Sequence, residues 1–233
     1  MPMPGHRTLM GSPATGIRWI CRRAGWMLLL AVIIFAGCGE KATSVATALP
    51  PIDVKADPVQ EPSPTQEKIR IKLKAGFVDL VPVARYRIAA VVASKRKYTS
   101  GWGAEVMPFD LALVWGRLTD PDVAKNLQIK HDNTRLAWFR IKGEEPPVSF
   151  EYAMSHGSNN HLIPATGNLF RAIDRDVGVK DRVVIEGYLV NGEGLIEGQT
   201  IQLKTSLTRE DSDRGACEIL YVTLLRIGDR LYR

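Results

Sequence analysis

The stretch from Arg182 to Val190, RVVIEGYLV, is the clearest strand signal in the chain, because β-branched and aromatic residues dominate it. Asn191-Gly192 follows directly and is typical of a tight hairpin turn. Residues 199–203 then alternate in polarity, which predicts the return strand. The carboxyl-terminal part of the chain is therefore predicted to hold a β-hairpin.

The segments on both sides of this hairpin repeat the pattern. Thr166 can cap a short helix whose Leu169, Phe170 and Ile173 share one face. Further strands are predicted at 68–73, 86–92, 138–141 and 218–227, a short helix at 123–127, and either a strand or a helical turn at 110–115. Five to seven strands, with a helix before RVVIEGYLV, is the order of an OB-type fold. We predict a mainly β (α+β) domain, a small OB-like barrel with one or two short helices.

The amino-terminal part carries a different signal, an apolar run of twelve residues from Trp26 to Gly37. This run follows Arg22-Arg23 and is shorter than the ~20 residues that cross a membrane. Its end, Phe35-Ala36-Gly37-Cys38, resembles the lipobox of bacterial lipoprotein signal peptides. The resemblance implies cleavage before Cys38 and acylation of that cysteine with palmitate-type chains. The alternatives are a short buried helix and an uncleaved signal anchor.

These signals divide the chain into three parts. Residues 1–37 are predicted to be a signal peptide, and 38–66 a lipidated cysteine and a disordered, proline-rich tether. Residues 67–233 are predicted to form one globular domain. The predicted location is the cell envelope, with the domain facing the periplasm or the extracellular side. Gly39 after the cysteine resembles the signal for the outer membrane, if the host has one.

The charge of the chain does not indicate a nucleic-acid partner. The formal charge of +6 and the pI near 9.3 are inflated by the leader, which carries four arginines and no acidic residue. Without those four, 27 basic residues face 25 acidic ones, a balance of about +2. Domains that bind nucleic acid are usually strongly basic. Nucleic acid is therefore excluded as the expected partner.

A polar stretch from Ser155 to His161, SHGSNNH, holds the most concentrated chemistry of the domain and is interpreted as a loop. His156 and His161 could both bind zinc, with a third ligand from Asp132, His131 or Cys217. Their spacing of five is not the i, i+4 spacing of helical ligand pairs. Hydrogen bonding of these side chains to the loop backbone is favoured, and no cofactor is predicted.

Four residues are candidates for nucleophilic catalysis: His156, Ser158, His161 and Cys217. Ser158 lies near both histidines in sequence, but no Gly-x-Ser-x-Gly motif surrounds it. Cys217 could meet either histidine in space, since such pairs are spatial rather than sequential. The box Ser155-His-Gly-Ser158 resembles the Ser-His-Gly-Cys box of L,D-transpeptidases, which cross-link the cell wall. Serine stands here in place of their nucleophilic cysteine.

Ligand-binding candidates lie near the end of the second predicted strand. Tyr98 and Trp102 could contribute to a face on which a sugar stacks. Lys95 and Lys97 beside them could contact an anionic glycan or headgroup. A solvated strand end and buried aromatic rings are the competing interpretation, and the more frequent one.

Several segments together resemble a family of bacterial proteins of unassigned function, over residues 67–233. The segments are 110–116 (DLALVWG), 158–165 (SNNHLIPA), 186–190 (EGYLV) and 206–218. The resemblance implies one recurring domain that contains His161 and Cys217. It implies no activity.

The sequence as a whole favours a non-catalytic, lipid-anchored envelope protein that binds a glycan, peptide or protein partner. One alternative is a small metal- or thiol-dependent enzyme built on His156, His161 and Cys217. The other is a structural accessory subunit of an envelope complex.

Overall fold

The computed structural model describes residues 40–46, 48–132, 134–143, 145–208 and 217–233. The predicted signal peptide and Cys38 lie outside these ranges. The strands, in chain order, are β1 Val45–Ala46, β2 Val59–Pro62, β3 Ile69–Leu73, β4 Gly76–Lys97, β5 Phe109–Val114, β6 Leu127–His131, β7 Ala137–Ile141, β8 Gly157–Pro164, β9 Arg182–Ile196, β10 Gln199–Leu203, β11 Glu218–Ile227 and β12 Arg230–Tyr232. The helices are α1 Trp102–Val106, α2 Pro121–Ala124, α3 Phe150–Ser155 and α4 Gly167–Arg175, with a 3₁₀ turn at Gly116–Thr119.

Five strands of the large sheet form a closed ring of pairings. β4 pairs with β5, β5 with β8, β8 with β11, β11 with β9, and β9 again with β4. Only β8 and β11 run parallel. Helix α4 connects the third ring strand along the chain, β8, to the fourth, β9. The mainly β fold is confirmed, with the strand number and helix position of the predicted OB-type order, although the described residues contain four helices instead of one or two.

The core lies inside the ring and follows from the alternation of side chains along its strands. From Val78 to Val92, β4 alternates between buried and more exposed residues, as a strand with one core face does. Helix α4 closes the core with Leu169, Ala172 and Ile173, all fully buried. The Thr166 hydroxyl accepts the Leu169 N–H at 3.1 Å, which confirms the predicted cap.

The predicted turn at Asn191-Gly192 is wrong, because β9 continues through it to Ile196. The chain turns at Glu197 and Gly198, with φ angles of 50° and 77°, and the return strand β10 is confirmed. Glycine serves another purpose two residues beyond the expected turn. A Cβ atom on Gly194 would lie 2.2 Å from the carbonyl oxygen of Phe77 on the neighbouring strand. Glycine in this region lets two strands approach closely.

The described part of the predicted tether is packed, where the sequence suggested a free, disordered segment. Ile52 and Val54 are buried and pack against Val184. β2 pairs with β4, and β1 pairs with β12. The prediction failed because two apolar anchors are enough when the backbone also forms hydrogen bonds to a sheet edge. We name residues 40–66 the arm.

A separate two-stranded sheet, β6 and β7, lies against the ring through contacts of β6 with β4 and β5. Its strands alternate, with Leu127, Ile129, Phe139 and Ile141 packed in one apolar cluster with Leu118 and Ala153. Trp138 and Arg140 face solvent. Within the described ranges, no helix is long and apolar enough to cross a membrane.

Candidate catalytic site

The polar stretch Ser155–His161 is not the predicted loop. Helix α3 ends at Ser155, and strand β8 begins at Gly157. β8 is a ring strand, paired with β5 on one side and with β11 on the other, so its side chains have fixed neighbours. In this register His161 lies opposite Asp110 of β5, and Asn160 lies opposite Glu218 of β11. Cys217, just before β11, is thereby brought beside Asn159 and His161.

A buried ion pair joins His161 to Asp110. His161 Nδ1 lies 2.7 Å from Asp110 Oδ1, and the Asp110 side chain is completely buried. Arg135 holds the same carboxylate, with Nη2 at 2.8 Å from Oδ1 and Nε at 3.4 Å from Oδ2. The remaining Arg135 hydrogen bonds go to the carbonyls of Gly103 and Met107, at 3.0 and 2.6 Å. A buried carboxylate needs such partners, since an unpaired one is costly.

These contacts shift the pKa values of His161 and Asp110 in the directions that favour their charged forms. Burial would lower the pKa of His161, but hydrogen bonds to Asp110 and Cys217 outweigh it and raise this pKa to about 9. Burial would raise the pKa of Asp110, but hydrogen bonds from His161 and Arg135 outweigh it and lower this pKa. At neutral pH the pair is therefore an imidazolium and a carboxylate.

Cys217 completes a row of three side chains. It is buried, and it contributes to the raised pKa of His161, which places the two side chains close together. Because Nδ1 faces Asp110, Nε2 is the His161 nitrogen that remains for another partner. Acid, histidine and cysteine thus stand in the order required of an orienting group, a base and a nucleophile.

Asn159 holds the sulfur from another direction. Its Nδ2 donates to Cys217 Sγ at 3.3 Å and to the Arg135 carbonyl at 2.9 Å, so its oxygen must accept a hydrogen bond. That bond comes from His131 Nε2 at 2.9 Å. The Ser94 hydroxyl lies 2.9 Å from His131 Nδ1, and burial lowers the pKa of His131. A neutral His131 therefore fixes the orientation of the Asn159 amide.

A cavity of about 230 Å³ opens beside the thiol. Its polar lining consists of Ser158, Asn159, Thr208, Cys217 and Glu218. Its apolar lining is larger and comes from β5, the 3₁₀ turn, the β6–β7 sheet and α3: Ala112, Leu113, Leu118, Leu127, Ile129, Leu136, Ala137, Phe139, Ala153 and Met154. An apolar pocket with a few polar groups at a reactive side chain is the usual form of a small-molecule site.

The other two predicted catalytic residues lie elsewhere in the hydrogen-bond network. His156 caps the end of α3: its Nδ1 is 3.0 Å from the Tyr152 carbonyl, and its ring stacks on Tyr152 with centroids 3.8 Å apart. The Ser158 hydroxyl accepts from Asn160 Nδ2 at 2.7 Å, and Ser158 is one of the residues that line the cavity. Among described residues, no hydrogen bond joins Ser158 to a histidine. The predicted set thus separates into His161 with Cys217 on one side and His156 on the other.

The predicted zinc ligands also separate. His156 turns one nitrogen to its own helix, while His161 turns one to Asp110. The part of the chain that the structure describes contains no group of three His, Cys, Asp or Glu residues able to hold a metal ion.

Three of the four predicted ligand-binding residues make internal contacts. Lys95 Nζ donates to the carbonyls of Ile173, Asp174 and Val177 at 2.6 to 2.8 Å, and so caps the end of α4. Lys97 Nζ lies 2.7 Å from Asp174 Oδ2.

The aromatic pair is divided in the same way. The Tyr98 ring is covered by the Arg135 guanidinium at 4.1 Å, and burial together with Asp110 raises the pKa of its hydroxyl. Tyr98 therefore belongs to the wall around Asp110. Trp102, the first residue of α1, is partly exposed.

Sequence reasoning missed Asp110, Arg135 and Asn159 as site residues. Asp110 did carry a signal, since it is the only charged residue of β5, a strand whose six residues are all buried. Arg135 carried none, because it reaches the site from the turn between β6 and β7.

The chain matches no known protein-family model, no curated protein and no solved structure. Its chemistry therefore has to be inferred from the side chains of this site.

Proposed function

We propose that this protein is a thiol-dependent acyl-transfer enzyme, a hydrolase or acyltransferase that uses Cys217 as its nucleophile. The observation that carries the proposal is the row Asp110–His161–Cys217, with the thiol at the wall of an apolar cavity. The sequence favoured a non-catalytic domain. The site geometry gives better support to its thiol-enzyme alternative, with His161 in place of the pair of histidines and without a metal.

The geometry suits acylation of the thiol. Cys217 attacks, as the thiolate, the carbonyl carbon of an ester, thioester or amide, with the protonated His161 beside it. The tetrahedral intermediate collapses, and the leaving group takes the proton from His161. Asp110 keeps Nδ1 protonated and the ring in place throughout.

The second half of the reaction, deacylation, restores the free enzyme. Neutral His161 takes a proton from water or another acceptor, which attacks the acyl-thioester carbon and releases the Cys217 thiolate beside the imidazolium. With water, the net reaction is hydrolysis of the substrate to a carboxylic acid and the free leaving group. Asn159 Nδ2 can transfer its hydrogen bond from the sulfur to the oxygen that becomes negative.

Acetylation by p-nitrophenyl acetate tests the proposal directly. We expect a burst of nitrophenolate and a mass increase of one acetyl group that peptide mapping assigns to Cys217. Mapping is necessary because the chain has three cysteines. Cys217→Ala should lose the burst. Acetylation at other residues only, or an unchanged burst in Cys217→Ala, would contradict the proposal.

A non-catalytic binding domain is the second candidate, and the apolar cavity favours it. This candidate requires the cavity but not the thiolate. Binding of an apolar ligand that is equal in wild type and Cys217→Ala, with no acylation of wild type, would support it.

For the location we propose a lipid anchor at Cys38 in the cell envelope, on the strength of the lipobox resemblance. Metabolic labelling with an alkyne-bearing fatty acid tests it. Label on wild type and none on Cys38→Ser is expected. Equal label on both proteins would refute the anchor.

A further inference from the structure

We propose that the substrate carries an unbranched apolar acyl chain of about eight carbons, which lies in the cavity beside Cys217. This inference rests on the proposed acyl-transfer function and adds its substrate class.

The lining of the cavity is divided by chemistry. Its polar groups are grouped by register: Ser158 and Asn159 are consecutive on β8, and Cys217 and Glu218 enter the adjacent strand β11. The reacting carbonyl has to lie at this end, since the thiol is there. Apart from Thr208, the rest of the wall has no hydrogen-bonding side chain, so the part of the substrate beyond the carbonyl must be apolar.

Most of the apolar wall of the cavity comes from elements outside the ring of strands. Leu127, Ile129 and Phe139 of the β6–β7 sheet face it, together with Leu118 and Ala153. A two-stranded sheet seldom holds its shape alone, and here its apolar face covers the space next to β5. A polar chain, such as a peptide with an unsatisfied backbone, would lose its hydrogen bonds to water there.

The volume sets the length of the chain. An engineered cavity of about 150 Å³ in another protein holds benzene, which has six carbons. By the same ratio the cavity of about 230 Å³ accommodates roughly nine carbons, or an octanoyl group with some room.

A series of p-nitrophenyl esters with acyl chains of two to sixteen carbons tests the inference. Each buried methylene should raise kcat/KM roughly fourfold until the cavity is full. We expect a maximum near eight carbons, at least 100-fold above acetate, and a decline beyond ten. A profile that is flat, or that is highest with acetate, would overturn the inference.

Two variants of β7 separate cavity filling from general damage. Ala137→Phe places a ring in the cavity, while Arg140→Phe places one on the exposed face of the same strand. Ala137→Phe should lower kcat/KM for the octanoyl ester at least tenfold and change that for acetate less than threefold. Arg140→Phe should change neither. Equal losses in both variants would refute the role of the cavity.

Binding of octanoate to Cys217→Ala, measured by calorimetry, distinguishes failure of the chemistry from failure of the cavity. If no ester acylates wild type, the acyl-transfer function is wrong. Octanoate binding that is lost in Cys217→Ala/Ala137→Phe would then still support the cavity as an acyl-chain site. If esters do not acylate wild type and octanoate does not bind Cys217→Ala, both proposals are overturned.

Discussion

His156 and His161 are five residues apart in one polar stretch, yet they lie in opposite surroundings. His161 contacts the fully buried carboxylate of Asp110 at 2.7 Å. His156 stacks on Tyr152, and its nearest carboxylate, Asp57, is 3.8 Å away with a side chain that is 76% exposed. The partner of His161 is buried, so water cannot replace it. The partner of His156 is exposed, so water and salt screen its charge.

The difference comes from the elements that carry the two residues. His156 is the residue after α3, so its ring is bound to the last turn of its own helix. His161 is inside β8, so its ring is bound to whatever the neighbouring strands present in that register. Proximity in sequence therefore says little about shared chemistry when an element boundary lies between two residues.

The largest difference in unfolding free energy is expected when the carboxylate beside each histidine is neutralised in turn. Asp110→Asn leaves Arg135 and His161 without a buried counter-ion, and breaking such a pair costs about 3–5 kcal/mol of unfolding free energy. Asp57→Asn keeps an acceptor for the Trp115 indole and should cost a small fraction of that. Urea unfolding monitored by tryptophan fluorescence measures both. Similar losses in the two variants would show that the two settings are energetically alike.

The pH dependence of stability should report the His161 pair. Its pKa is about 9 in the folded protein, above the ordinary value near 6.5, so folding is stabilised while the ring is protonated. This contribution is fully present below pH ~6.5 and is lost as the pH rises through about 9; it amounts to roughly 3 kcal/mol. Asp110 acts in the opposite direction, and its contribution is lost as the pH falls through its lowered pKa.

Unfolding free energies of wild type and His161→Gln, measured from pH 6 to 10, check this expectation. The difference between the two proteins should shrink as the pH rises. A constant difference would mean that His161 does not carry the charge assigned to it.

Alkylation of Cys217 by iodoacetamide should separate the histidines kinetically. His161→Gln removes the positive charge beside the thiol and should slow alkylation at pH 7 about tenfold or more. His156→Gln should leave the rate within about twofold, because among described residues no hydrogen bond, ion pair or ring contact joins His156 to the row Asp110–His161–Cys217. The rate at Cys217 is followed by peptide mass spectrometry. A larger effect from His156→Gln would reverse the assignment.

The smallest effect is expected at Tyr152, whose ring stacks on the His156 ring. Its hydroxyl accepts the Arg117 N–H at 2.8 Å. Tyr152→Phe should cost about 1 kcal/mol in thermal or urea unfolding, the usual value of one hydrogen bond. Alkylation of Cys217 should stay unchanged in this variant. A slower alkylation would connect the two regions.

Strands such as β9 and β11 could be predicted from the sequence because β-branched residues and alternation are visible in the residues themselves. Strand β8 was interpreted as a loop because its first residues are polar. Strand β11, Glu218–Ile227, was predicted with its observed bounds. The turn was misplaced because a glycine used for close strand approach cannot be told from a turn glycine without the partner strand. The packed arm was missed because hydrogen bonds to a sheet edge leave no trace in hydrophobicity.

The site could be predicted only in part for a related reason. His161 and Cys217 were identified by residue type, since few groups do their chemistry. Asp110 and Arg135 depend on which strands pair and in what register, and on where a turn points. A buried charge in a fully apolar strand, as at Asp110, is the one local sign that remained visible.

The start of the arm has a mechanical meaning for an anchored protein. Glu40 is held on α4, where Arg175 donates to its carbonyl at 2.7 Å and Arg171 lies 3.3 Å from its carboxylate. Only Gly39 separates it from the proposed anchor at Cys38, a span of at most about 8 Å. If Cys38 carries the proposed lipid, so short a connection would keep the folded domain at the bilayer surface, free to tilt but not to move away from it. Substrates would then have to be met at the headgroup layer, where molecules with acyl chains are most concentrated.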